Sequence, residues 1–492
     1  MMVFLSKGST VNSEMFLKLT IITALAGLFG GCSAAQLTKQ ANTPPNFVII
    51  FVDDLGYGDL SCYGHPTIAT PQLDRMADEG QRWTHFYSAA VVCSPSRAAL
   101  MTGKYPVRTG TSTGVFFEWS AEGLAPDEVT LAETLKANGY ATACVGKWHL
   151  GHRRPYLPGS QGFDEYYGIP YSNDMRVDPE MPVADDVRFR EGMTLEKMRD
   201  PANKKTNWVP LVEDDVVVEY PADQTTLTGR YTDRCVSFIK EHRDEPFFLY
   251  MAHTFPHIPL FASDDFLDTS KRGLYGDVVE ELDESVGTIL QTLRELGLDK
   301  NTLVVFTSDN GPWLSEKENG GSAGLLRGGK GQTWDGGTRE PGIFWWPGRI
   351  EKGSVVRELG SILDIYKTFC SLADVEAPAA GPLDSYDLSP VLMGKTSSPR
   401  EVMYFYRGTE IYAVRQGPWK AHFITQGSFG EGEKKTPHDP PLLYHLEHDP
   451  GEKYDIAAEH PDVVQRLKEL AEEQAAKVIP GPNKYKKRLD KK

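Results

Sequence analysis

Continuous apolar stretches alternate with amphipathic ones along this chain. Asn46 to Val52 is an uninterrupted, β-branched apolar run, the pattern of a strand covered on both faces. Phe247 to Ala252 and Thr302 to Ser308 repeat it, and Tyr140 to Gly146 is strand-like. Between these runs the spacing becomes helical. Thr70-Pro71 opens a helix with proline at an early position, Thr130 to Asn138 is stopped by Gly139, and Tyr275 to Leu296 is a long amphipathic helix closed by Gly297. The alternation predicts an α/β domain with a large, mainly parallel central sheet flanked by helices. Ligands of such sheets bind beyond the carboxyl ends of the strands. Polar residues collect at those ends: Asp53-Asp54, Lys147-Trp148-His149, His253 to His257 and Asp309-Asn310.

A Pro/Gly/Ser-rich stretch near Ala377 to Ser398 marks a boundary. Short strand-like pieces follow at Val402 to Tyr406 and Ile411 to Val414, then a helix from Pro461 to about Lys477. These predict a smaller antiparallel sheet with one helix over 398–478, after a main domain over 45–380. The basic tail, 479–492, is expected to be disordered from Lys484 onward. At the other end, Lys7 and Lys18 precede the apolar Leu19 to Phe29 and then Gly30-Gly31-Cys32. This reads as an export signal over 1–32, too short to span a membrane, with Met15 as a second candidate start. Small residues ending in cysteine resemble a bacterial lipoprotein signal with Cys32 lipidated, although Phe29 departs from that pattern and plain secretion is the alternative. The expected location is periplasmic or cell-surface, with a lipid anchor as the sole membrane contact.

The 492 residues, 40% hydrophobic, are an ordinary globular composition. A net charge of -16 argues against nucleic acid as a partner, and it means that an anionic substrate needs a local cationic pocket. Cys62, Cys144, Cys235 and Cys370 lack metal-ligand spacing, so they pair in one of three ways or stay as buried thiols.

Cys93 stands in Val92-Cys93-Ser94-Pro95-Ser96-Arg97-Ala98-Ala99-Leu100-Met101. Ser94 as an N-cap and Pro95 at the first helical position would place residue 93 just ahead of a helix N-terminus, where an anion is favoured. Taken alone, the segment also fits a structural cysteine before a helix, and Asp53-Asp54 and Ser308-Asp309-Asn310-Gly311 also fit ordinary turns. Cys-x-Pro-Ser-Arg nevertheless resembles the signature of the formylglycine-dependent sulfatases, arylsulfatase A and N-acetylgalactosamine-6-sulfatase types, of the alkaline phosphatase superfamily. Further elements match in the family's order: Gly146-Lys147-Trp148-His149, Phe255-Pro256-His257-Ile258-Pro259, Arg327-Gly328-Gly329-Lys330, Gly336-Gly337-Thr338-Arg339-Glu340-Pro341 and Asp449-Pro450-Gly451-Glu452.

The resemblance implies Ca²⁺ held by Asp53, Asp54, Asp309 and Asn310, with residue 93 as a further ligand. It implies that Cys93 is oxidised to formylglycine by a formylglycine-generating or anaerobic sulfatase-maturating enzyme, and that the aldehyde's hydrate attacks sulfur. Arg97, Lys147 and Lys330 would offset sulfuryl charge, His149 would be the base that releases sulfate, and His257 would aid departure of the alcohol. Ser172, in Tyr171-Ser172-Asn173, would touch the sulfate, and His253 would be a substrate-side or structural histidine. The implied reaction is hydrolysis of a sulfate ester, with a sulfated carbohydrate as substrate. Two alternatives stand: a phosphonate or phosphate diester hydrolase, in which His typically replaces Asn310, and a non-catalytic sulfated-glycan binder. Substrate specificity is expected in loops such as Thr111 to Glu122, Arg176 to Thr226 and Ser315 to Leu325.

Overall fold

The computed structural model describes residues 44–378 and 381–489; the export-signal reading, with Cys32, lies outside them. Twelve strands form the main sheet: β1 (Asn46–Val52), β2 (Gln81–Tyr87), β3 (Ala141–Gly146), β4 (Glu165–Gly168), β5 (Val183–Phe189), β6 (Leu211–Glu213), β7 (Val216–Tyr220), β8 (Phe247–Ala252), β9 (Thr302–Ser308), β10 (Arg339–Trp345), β11 (Ser354–Val356) and β12 (Gly360–Ser361). Their order is β11-β2-β10-β9-β1-β8-β3-β4-β6-β7-β5, with β12 also on β2. The middle five, β9, β1, β8, β3 and β4, are parallel. Every residue of β1, β8 and β9 is buried, which is why these strands read as unbroken apolar runs.

The two faces of β1 serve two cores. Phe47, Ile49 and Phe51 pack into one with Leu100, Leu131 and Phe369, which lie on α2 (Cys93–Thr102), α3 (Leu131–Lys136) and α6 (Asp364–Leu372). Val48, Ile50 and Val52 pack into the other with Leu73, Leu227 and Leu282, on α1 (Pro71–Glu79), α4 (Leu227–Glu241) and α5 (Leu274–Glu295). Strand periodicity of two sends alternate side chains to opposite layers. Thr130 starts α3 with a capping box: its Oγ1 accepts from the Glu133 N–H at 3.1 Å, and Glu133 Oε2 accepts from the Thr130 N–H at 2.7 Å.

Several features depart from the sequence reading. β2 and β10 pair antiparallel at the sheet's other side; polar Arg82, Thr84 and His85 and the charged Arg339-Glu340 start hide their periodicity. The stretch from Arg176 to Thr226, expected to be loop, supplies β5, β6 and β7 to the sheet. Cys93 is the first residue of α2 rather than the one before it. Val92 is its N-cap, and buried Ser94 bonds to neighbouring loops instead of capping the helix. The tail is ordered through Leu489, because its backbone pairs with the segment ahead of it in sequence: Gly481 N–H donates to Val107 O at 2.8 Å, Lys484 N–H to Gly110 O at 3.0 Å and Leu489 N–H to Trp119 O at 2.8 Å. Cys62, Cys144, Cys235 and Cys370 are free thiols, and burial pushes all four upward in pKa. Among the described residues no helix is long and apolar enough to cross a membrane.

The smaller sheet is antiparallel: β13 (Val402–Arg407), β14 (Glu410–Gln416), β15 (Trp419–Thr425) and β16 (Thr436–His445), in sequence order. Val464 and Leu467 of α7 (Pro461–Lys477) pack on its Val414, Ala421 and Leu443. A buried ion network ties it to the main sheet. Lys420 Nζ lies 2.8 Å from Asp335 Oδ1 and 3.1 Å from Glu452 Oε1, and His422 Nε2 lies 2.7 Å from the same Glu452 oxygen. Glu452 Oε2 accepts the Asp335 N–H at 2.7 Å. This accounts for two sequence elements, Trp334 to Pro341 and Asp449 to Glu452, as structural joints. Lys420→Ala leaves two buried carboxylates without their shared cation, so a loss of about 3–5 kcal/mol is expected in denaturant unfolding. A loss under about 1 kcal/mol, the range of exposed pairs, would contradict that account.

Candidate active site

The parallel strands end side by side, and their following residues meet at one point. Asp53 and Asp54 leave β1, Asp309 and Asn310 leave β9, Lys147 to His149 leave β3, and Ser172 follows β4. In register Val52 sits opposite Ser308, so two residues 255 apart meet: the Asp54 backbone N–H donates to Asp309 Oδ1 at 3.2 Å. Asp54 has φ 66°, which turns its side chain out of the strand direction at the cost of a left-handed backbone. Gly146 (φ 111°) ends β3 where an added Cβ would lie 1.8 Å from Ala252 O, so only glycine permits the close approach of β3 and β8 there.

One oxygen from each of Asp53, Asp54 and Asp309 lies within 4.8 Å of the others and of Cys93 Sγ. Sγ is 3.2 Å from Asp53 Oδ1 and 4.0 Å from Asp54 Oδ1. Asn310 Nδ2 donates to Asp54 Oδ1 at 2.8 Å, while its buried Oδ1 has no partner. A buried acceptor without a donor beside three carboxylates fits a hard cation that takes oxygen ligands. Two further groupings among the described residues are Asp53-Cys93-His257, within the same site, and Glu165-Glu241-His242 near the surface.

Three cations face these carboxylates. Arg97, one turn into α2 and fully buried, donates Nη2 to Asp309 Oδ2 at 2.8 Å and Nη1 to Lys147 O at 2.7 Å. Lys147 Nζ donates to Asp53 Oδ2 and, at 3.2 Å, to Ser172 Oγ. Lys330 Nζ donates to Asp54 Oδ2 at 2.7 Å. Burial raises Asp53, but the charges of Lys147, Arg97 and Lys330 outweigh it and hold its carboxyl well below the ordinary range. Burial and the neighbouring Asp53 push Asp309 up to about 8, against the pull of Arg97. Burial, then Asp53, pushes the Cys93 thiol well up, so it is a neutral thiol and a poor nucleophile as encoded.

Two histidines complete the point. His149 Nε2 is 2.9 Å from the Phe116 carbonyl, which fixes the proton there, and its buried Nδ1 has no partner. Burial, Lys147 and Arg97 press its pKa far down and keep the ring neutral. His257 Nδ1 is 2.5 Å from Ile258 O and 3.1 Å from Asn173 Oδ1; its Nε2 is 3.8 Å from Asp54 Oδ2. Burial, with Lys330 and Lys147, keeps it neutral as well. Ser172 Oγ is 3.3 Å from that ring. His253 is not brought to this point: it is buried, its Nε2 is 3.4 Å from Ser285 Oγ on α5, and no hydrogen bond joins it to the other candidates.

Sequence reasoning missed the supports. Phe116 sets the His149 tautomer through a backbone carbonyl, which leaves no side-chain signal. Asn173 orients His257, and its place directly after Ser172 is the signal that was available. Glu340 is fully buried with both carboxylate oxygens unpartnered, and burial together with Asp309 and Asp54 keeps it protonated. Trp313, 5.5 Å from the His257 ring, follows Asp309-Asn310-Gly311-Pro312 in a segment without periodicity.

A mainly parallel sheet whose strand ends gather carboxylates, buried cations and neutral imidazoles defines an alkaline phosphatase-like hydrolase of anionic esters. The chain belongs to the sulfatase family: the sulfatase model matches residues 45–375, and the model of the C-terminal region of aryl-sulfatase matches 398–491. It is an enzyme of sulfate-ester hydrolysis. It is 43% identical to arylsulfatase A of Homo sapiens over 452 residues, 87% of each chain. It is 40% identical to N-acetylgalactosamine-6-sulfatase of Canis lupus familiaris over 500 residues, 94% of this chain and 90% of that one. Among solved structures, PsFucS1 sulfatase from Pseudoalteromonas sp. superposes with a TM-score of 0.78 at 28% identity, covering 92% of this chain and 93% of that one. Ps i-CgsB in complex with k-i-k-neocarrahexaose superposes at 0.76, 28% identity, covering 89% and 94%. A phosphonate monoester hydrolase of Agrobacterium radiobacter, at 19% identity and a TM-score of 0.59, shares the fold alone.

Proposed function

We propose that this enzyme removes sulfate from a sulfated carbohydrate, using formylglycine made from Cys93 and a bound Ca²⁺. The observation that carries the reading is the meeting of Cys93 Sγ with Asp53, Asp54 and Asp309 within 4.8 Å, at the N-terminus of α2. Formylglycine supplies a geminal diol, with one hydroxyl to attack sulfur and a second whose deprotonation frees sulfate by C–O cleavage. Asp53, Asp54, Asp309, Asn310 and residue 93 would hold Ca²⁺, which would supply Lewis-acid stabilisation of charge.

The chain's own groups do the rest. Arg97 sits beneath the carboxylates and fixes Asp309 and the Lys147 backbone. Lys147 and Lys330 are each held on one of the paired aspartates, with Ser172 beside Lys147; with those carboxylates serving a cation, both ammonium groups and Ser172 would be available to the sulfuryl oxygens. His149, neutral with its Nε2 proton committed to Phe116, presents a free Nδ1 lone pair as the base. His257, neutral and anchored by its Nδ1–H on the Ile258 carbonyl, directs a free Nε2 toward the pocket, where it would aid departure of the alcohol by passing to its oxygen the proton that the attacking hydroxyl gives up. The relatives' names, an N-acetylgalactosamine-6-sulfatase and a neocarrahexaose complex, support a carbohydrate substrate. The reading of residues 1–32 as an export signal supports a periplasmic or cell-surface location, and a maturating enzyme as partner follows from the formylglycine.

The test is release of inorganic sulfate from defined sulfated mono- and oligosaccharides by protein made with and without a maturating enzyme, alongside mass analysis of the Cys93 peptide. Sulfate release that appears only with the aldehyde-bearing peptide is the expected result. Equal release from protein carrying an intact Cys93 thiol sinks the mechanism.

A further inference from the structure

Beyond the pocket for sulfate stands an aromatic pair that none of the catalytic groups requires. Trp313 leads out of it: its ring is 5.5 Å from the His257 ring, and Lys330 Nζ lies 4.2 Å over it. Phe429 comes next, with its ring 4.6 Å from Trp313 and Lys330 Nζ 5.9 Å away. Trp313 belongs to the segment after β9, whereas Phe429 is at the tip of the β15–β16 connection of the smaller sheet. The two are contributed by different layers of the molecule.

Phe429 carries two costs that packing does not offset. It is 46% exposed, and it holds φ 51°, a left-handed conformation that a bulky residue rarely adopts. A single exposed aromatic is ordinary; an exposed aromatic on a strained backbone at the rim of a catalytic pocket is not. The tip is also firmly placed. Ser428 N–H and Glu431 N–H exchange hydrogen bonds with each other's carbonyls at 2.9 Å, and Arg407 Nη1 holds Gly427 O at 2.9 Å. Gly331 (φ 81°), the neighbour of Lys330, lies so close that an added Cβ would be 2.0 Å from Ser428 Oγ. The tip is therefore docked against the residue next to a sulfate-binding lysine.

We propose that Trp313 and Phe429 form a stacking platform for the sugar ring of the substrate. This rests on the carbohydrate reading above. His257 serves the leaving oxygen, so the alcohol part of the ester lies on the His257 side of the pocket, and Trp313 is what stands there. A pyranose offers an apolar C–H face that the exposed Phe429 ring can cover, with Trp313 tilted 49° against that ring as its support and inner edge, while the hydroxyl rim stays in water. An exposed, rigidly held ring binds such a face without an ordering cost at the moment of binding.

The test uses the matured enzyme and three probes: 4-nitrophenyl sulfate, N-acetylgalactosamine 6-sulfate and a sulfated carrageenan hexasaccharide, with inorganic sulfate as an inhibitor. For whichever carbohydrate is hydrolysed, Phe429→Ala is expected to raise KM on the order of tenfold, with Phe429→Tyr and Phe429→Trp close to the parent and Phe429→Leu between. Inhibition by inorganic sulfate is expected to change less than about twofold, since Lys330 keeps Asp54 and Trp313. An unchanged carbohydrate KM in Phe429→Ala overturns the platform. So does a parallel weakening of carbohydrate binding and sulfate inhibition, which would mean that the rings only hold Lys330 in place. If the parent enzyme hydrolyses 4-nitrophenyl sulfate and neither carbohydrate, the underlying carbohydrate reading fails instead, and the platform with it.

Discussion

Cys93→Ala is expected to abolish turnover of any sulfate ester, by about 10⁴-fold or more in kcat, while leaving the protein folded. The size of the effect follows from what the other residues can do alone. In the proposed mechanism Arg97, Lys147 and Lys330 stabilise charge and His149 accepts a proton, but none is a nucleophile placed at the carboxylate cluster. Loss of the one group that bonds to sulfur leaves binding and electrostatics, and such residual catalysis is small. The fold should tolerate the change. Cys93 has only 2% of its surface exposed and its side chain is small, so the cavity is about one sulfur atom, costing roughly 1–2 kcal/mol. Lys147 and Lys330 still compensate Asp53 and Asp54. Initial rates and thermal unfolding on the same preparation check both halves. Full activity in Cys93→Ala would discard the nucleophile assignment, and an unfolded variant would discard the structural half.

Removal of divalent cations is expected to lower kcat/KM by about 10²–10⁴-fold, corresponding to the several kcal/mol that a bound cation contributes to charge stabilisation. Calcium should restore activity better than magnesium, since a dense set of side-chain oxygens suits the larger, more flexibly coordinated ion, and magnesium keeps its waters. Charge balance supplies the reason for the loss. Lys147 is held on Asp53 and Lys330 on Asp54, so without a further cation both lysines stay committed to carboxylates. A divalent ion would add positive charge to the pocket and release the lysines, as an otherwise acidic protein needs in order to hold sulfate. The unfolding temperature should fall with the chelator and recover with calcium in a concentration-dependent way. Undiminished activity in protein shown by elemental analysis to be metal-free would refute the assignment.

Much of the site was legible because buried parallel strands announce themselves. β1, β8 and β9 are apolar on both faces, so their ends, and the polar residues after them, can be read to within a residue. Antiparallel β2 and β10 were not legible, since polar and charged residues break their pattern. The order of the tail is hidden for a related reason: a basic run looks solvated in one dimension, yet its backbone finds partners in the 107–121 segment.

The sequence by itself determined the α/β class, the residues at each strand end, and the family elements from Asp53 to Lys330, because strand periodicity and short motifs are local. Tertiary structure alone decided which of those residues touch. Register between β1 and β9 joins Asp54 to Asp309, a backbone carbonyl chooses the His149 proton, and the β15–β16 tip brings Phe429 to Trp313. These are contacts between segments far apart in the chain, where packing and hydrogen bonding across layers set the geometry and no local pattern records it.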